Sequence, residues 1–146
     1  MTTEQEQLAY NDICYYTLAH GQPSFIHQHA VDAFAAQNSD EHDKPIRLTF
    51  ALVGLYLHVE EKLSGREVQL AHVKLARNRR PWPAFMLPHN RGSVSATDVI
   101  AASAGPERDR MIHEWCVSVW DAFRESRHSV AELVRDTQLC ATRVAP

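Results

Sequence analysis

The chain has 146 residues, 45% of them hydrophobic, and a formal net charge of -3. That length and apolar content suit one domain able to bury a core without staples, so residues 1–146 read as a single helical domain with 1–3 and 142–146 at frayed ends. A pI near 6.3 argues against a protein that coats nucleic acid or an anionic membrane. No apolar run reaches the roughly 18 residues of a membrane span, and the polar start MTTEQEQ is no secretory signal, so the cytoplasm is the expected setting.

From Glu4 to His20 the positions Leu8, Ile13, Tyr15, Tyr16, Leu18 and Ala19 predict a helix, which Gly21 and Pro23 stop. Ser24 is placed to cap the next one, FIHQHAVDAFAAQ, from Phe25 to Gln37. At 3.6 residues per turn, Ile26, Ala30, Ala33, Phe34 and Gln37 line its core side. His29 and Asp32, three apart, share one flank, where a carboxylate can orient an imidazole or share a ligand with it. His27 falls on the other flank, so the HQH triplet cannot chelate one ion from a regular helix. Gln37 lies along the buried face, where an amide costs about 1 to 3 kcal/mol unless its hydrogen bonds are made. A partner for it is therefore expected.

The polar run Asn38 to Lys44 reads as a loop, and Pro45 opens PIRLTFALVGLYLHVEEKL. This segment is apolar nearly all round and is expected to be the central helix, its one polar or small stripe being Arg47, Ala51, Gly54, His58 and Glu61. Gly54 and Ala51 would let another backbone come close. Ser64 and Glu67 have the spacing of a capping box, and the helix from about Gly65 to Asn78 puts His72 among Val68, Ala71 and Leu75, where a leucine would be expected. The stretch RPWPAFMLPHNRGSVS, rich in proline, predicts a long loop whose Trp82, Phe85, Met86 and Leu87 pack over the bundle as a lid. A short helix follows Ser95, and Gly105-Pro106 opens a long one with the stripe Ile112, Trp115, Cys116, Val119, Trp120 and Phe123, read as core or as a dimer face. Ser129 to Glu132 marks a kink or a separate helix running to about Gln138. Nothing alternates at period two. The expected fold is all-α, a bundle of five or six helices. Cys14, Cys116 and Cys140, far apart and without CxxC spacing, read as reduced thiols, with Cys116 in the core.

At FIHQHAVDAFAAQ, FALVGLYLHVE, GREVQLAHV, Trp82-Pro83 and Arg91-Gly92, from about Tyr16 to Trp120, the chain resembles an uncharacterised family of small bacterial all-helical proteins. The resemblance implies a helical fold and brings no assigned activity. Related sequences carry a histidine five positions before an aspartate, matched here by His27 and Asp32; some carry further histidines where this chain has Asn38 and Ala51. The layout is also loosely similar to metal-binding four-helix bundles of the damage-inducible type, whose local ligand spacing is absent here.

These residues define two chemical readings. In the first, His29, Asp32, His58 and His72 are the pool from which a divalent metal such as zinc would draw three ligands, with His27 as a substitute. In the second, His27 or His29 is a general base oriented by Asp32. Gln37, Arg80, Trp82 and Arg91 are the candidates for holding a small anionic substrate, the guanidinium groups by charge and the indole by stacking. Against both stands a non-catalytic ligand-binding or dimerisation module whose buried histidines are structural. The remaining partners follow from charge: neither nucleic acid nor a membrane is expected, and a homodimer is the assembly to test.

Overall fold

The computed structural model describes residues 2–19 and 24–139. Among them the elements run α1 (Glu4–Ala19), α2 (His27–Gln37), α3 (Pro45–Val59), α4 (Gly65–Ala76), α5 (Ala96–Ala101), α6 (Pro106–Ala122), a 3-10 turn (Arg124–Ser126) and α7 (Arg127–Asp136). The fold is all-helical, with no strand among the described residues, but it has seven α-helices where five or six were expected. The Gly21-Pro23 stop, Cys140 and the end from Thr142 lie outside the described residues.

The most apolar segment became the hub. α3 starts with Pro45 in its first turn, where the missing N–H costs nothing, and it packs against α2, α4, α6 and α7. Leu52, Val53, Leu55 and Leu57 are each 1% exposed or less, so this helix has apolar neighbours around most of its circumference. α1 closes the other side of the bundle through α2 and α5. The stripe of α6 is buried throughout, Trp115 and Cys116 fully so, which makes it core within this chain.

Local signals held at some ends and failed at others. Ser64 and Glu67 form the reciprocal capping box of α4. Ser24 does not cap α2: the N-cap is Ile26, without a side-chain bond, and Phe25 enters with φ +55°. The Ser24 carbonyl instead accepts the Arg66 N–H at 2.8 Å. Gly65 makes this approach feasible, since a Cβ there would stand 1.8 Å from the Phe25 oxygen. The separate helix expected near Ser129 is present as α7, but it begins two residues earlier, so Ser129 is an exposed residue inside it and not its cap. The break comes earlier, after Phe123 is anchored at 1% exposure, and burial of Val130, Leu133 and Val134 orients the new helix.

The long segment between α4 and α5 has no regular structure. Trp82, Phe85, Leu87 and Val94 nevertheless pack against the core, while Met86 is 72% exposed.

Candidate functional site

α2 and α3 pack antiparallel, as two contacts establish. His29 stacks on His58, ring centroids 3.5 Å apart, and Asp32, one turn later in α2, lies over Gly54, one turn earlier in α3. A Cβ at Gly54 would stand 1.9 Å from Asp32 Oδ2, so the glycine is a notch that receives the carboxyl. Asp32 is 3% exposed and His29 6%. The small residue foreseen as a place for a neighbouring backbone is occupied by an acid.

Asp32 Oδ1 accepts from the Gln28 amide at 3.1 Å, and the same nitrogen lies 3.3 Å from His72 Nδ1. His72 Nε2 is 2.8 Å from the Phe50 carbonyl oxygen, which can only accept, so the proton is on Nε2 and Nδ1 carries a lone pair. One amide nitrogen thus donates both hydrogens, one to a carboxyl and one to an imidazole. Burial raises the Asp32 pKa well above the usual carboxylate range, against the pull of the Gln28 bond. Burial also lowers the His72 pKa, opposed by the Phe50 carbonyl. Both groups therefore favour their neutral forms. Asp32 Oδ2 and His29 Nδ1 are buried with no hydrogen-bond partner among the described residues.

The other histidines belong to separate networks. His58 Nδ1 donates to the Leu63 carbonyl at 3.3 Å, which leaves Nε2 to accept from Nδ1 of the exposed His113 at 3.0 Å. His29 is lowered to about 3 by burial, with His58 and His113 adding repulsion, and His58 to about 4 by burial. His27 Nδ1 lies 2.8 Å from Thr17 Oγ1, whose own hydrogen goes to the Cys14 carbonyl, so His27 is the donor. Burial lowers its pKa too.

The metal pool is thus divided. His29 and His58 are paired, Asp32 reaches His72 through an amide, and no group of three histidine, cysteine or acidic residues among the described residues could hold an ion. These donors do not fit a shared zinc.

The anion candidates are placed apart as well. The Gln37 amide donates to the Val94 and Arg91 carbonyls at 2.7 and 3.3 Å, while its oxygen accepts from the Trp115 indole at 2.9 Å. Arg91 donates to the Ala36 and Gln37 carbonyls and to Ser39 Oγ, closing the carboxyl end of α2. Arg80 is exposed. Trp82 packs edge-on against Phe50, 5.6 Å between centroids.

Phe50 leads back to the network, because it lines a cleft of about 520 Å³ between α1, α2, α3 and α4. Gln28, Asp32 and His72 stand on its wall with Phe34, Tyr10 and Arg47. Tyr10 stacks on Phe34 at 3.8 Å, and burial raises its phenol pKa. A second groove, of about 1070 Å³, runs between the 86–94 segment and α6 and holds His113 alone of these groups. The sequence reading missed Gln28, Arg47 and Tyr10. Gln28 had a signal, since it is four residues before Asp32 on one helix face; Arg47 and Tyr10 had none beyond their polarity.

Fold and site together define a small all-helical protein with a buried carboxyl and a half-buried amide and imidazole beside a largely apolar cleft. The chain belongs to a family of unknown function, DUF5946, whose model matches residues 7–124. No curated protein and no solved structure matches it. Among the described residues no helix is long and apolar enough to cross a membrane.

Proposed function

We propose that the protein is an acid-base enzyme acting on a small anionic molecule in the cleft between α1 and α4, with His72 as base and Asp32 as its partner. One observation carries the reading: a single nitrogen, Gln28 Nε2, is bonded to both Asp32 Oδ1 and His72 Nδ1 on the cleft wall. Two acceptors from different helices converging on one donor mark where a substrate N–H or O–H would sit once the amide swings aside. In that position the lone pair of His72 Nδ1 takes the proton, the Phe50 carbonyl stabilises the imidazolium through Nε2, and Asp32 holds the substrate group. His27 and His29 serve as structural groups in this account, and no step is assigned to a metal.

The alternative, a non-catalytic ligand-binding or dimerisation module, is favoured by the separate partner each of His27, His58 and His72 already has. Free Cys14 and Cys116 fit the cytoplasmic setting that belongs to either proposal. Turnover of a panel of small carboxylates and amides, followed by NMR, separates the two. The enzyme reading expects turnover to fall by about 10²-fold or more in His72→Asn and Asp32→Asn, with the helical circular dichroism unchanged. Folded variants that turn over as fast as the parent refute it; binding without turnover in the parent supports the module.

A further inference from the structure

We propose that the cleft selects a monocarboxylate with a ring-sized apolar body and a hydrogen-bond donor at its far end, and that Arg47 receives the carboxylate. The inference rests on the functional reading of this cleft and names its ligand class. Along α3 the cleft runs from Gly54, which carries Asp32 with Gln28 and His72 beside it, past Phe50 one turn earlier to Arg47 where the helix begins; Phe34 and Ala35 of α2 lie on the Arg47 side of Asp32, and Gln7 and Tyr10 line the cleft from α1. Arg47 stands seven residues before Gly54, the residue under Asp32, which is about 10 Å of helix rise. A six-membered ring with a short acid arm spans that distance once the long arginine side chain folds inward.

The charge argument limits the anion to one negative charge. Arg47 is half-exposed, is the one arginine or lysine lining the cleft among the described residues, and shares its charge with Asp43 at 3.6 Å. The first turn of α3 adds a partial positive charge beside it. That matches a carboxylate, whereas a phosphate dianion would leave one charge unmet by a guanidinium already shared with Asp43. At the Gly54 end His72 Nδ1 and Asp32 Oδ1 are acceptors, so the matching ligand group is a donor such as a hydroxyl.

The probe is 4-hydroxyphenylacetate, compared by calorimetry with 4-hydroxyphenylacetamide and phenylacetate on the full chain. The acid is expected to bind about three- to fivefold more tightly than the neutral amide, an advantage of the size a half-exposed charge pair supplies, and to lose it in Arg47→Gln, an exposed change that leaves the core intact. Phenylacetate, without the donor, is expected to bind more weakly than the hydroxy acid. No saturable binding of the hydroxy acid, equal affinity for acid and amide, or an acid preference that survives Arg47→Gln overturns the assignment. None of these results decides whether His72 and Asp32 move a proton, which stands or falls on the His72 and Asp32 variants.

Discussion

Gly54→Ala is the most direct test of how the site is built. The added methyl would lie 1.9 Å from Asp32 Oδ2 and 2.5 Å from its carboxyl carbon, far inside contact distance. Either the carboxyl leaves the notch and breaks its bond to Gln28, or α2 and α3 separate. Overpacking of this kind costs about 1 to 3 kcal/mol, and loss of the amide bond about 1 kcal/mol more. Against this, alanine in a helix interior gains about 0.5 to 1 kcal/mol over glycine. The net loss expected in the parent is about 1 to 3 kcal/mol. In an Asp32→Ala background the obstacle is gone and only the propensity gain remains, so the same substitution should stabilise by about 0.5 to 1 kcal/mol. The coupling energy from this double-mutant cycle, read by urea unfolding followed by circular dichroism, should reach about 2 kcal/mol. A Gly54→Ala change with the same effect in both backgrounds would refute the notch.

Two further predictions concern the rest of the network. Gln37→Leu leaves the fully buried Trp115 indole N–H and the Val94 carbonyl without their partners, and should cost about 2 to 4 kcal/mol with faster amide exchange over residues 91–95; a loss below about 0.5 kcal/mol would contradict the bonding described. The pH profile tests the buried rings. His29 and His58 are held near 3 and 4 when folded, below about 6.5 in the unfolded chain, so their contribution is complete above pH 6.5 and is lost as pH falls toward 4, by up to about 1.4 kcal/mol per pH unit each. Asp32 has the opposite sign, its raised pKa adding stability at low pH that is lost as pH rises, so Asp32→Asn should make the acid loss steeper. Parent stability that stays level from pH 7 to pH 4.5 would count against this.

Much of the scaffold was legible because it is written in local periodicity. The spacing of Ile112, Trp115, Cys116, Val119 and Trp120 left core and dimer face open, and the structure buries the stripe within this chain; the glutamine at position 37 was rightly expected to find partners, since an amide shut off from water must have its bonds made. The division of the site was not legible. His29 and Asp32 share a flank of α2, yet one meets a histidine and the other a glycine, because the antiparallel partner presents His58 and Gly54 one turn apart. That pairing is a property of how two helices dock, and neither helix encodes it separately. It also explains why a glycine is tolerated inside the most apolar helix. A slip of one turn either way would put Asp32 over Phe50 or His58, whose side chains leave no notch for a carboxyl, so the acid fixes the register that brings it beside Gln28 and within reach of His72.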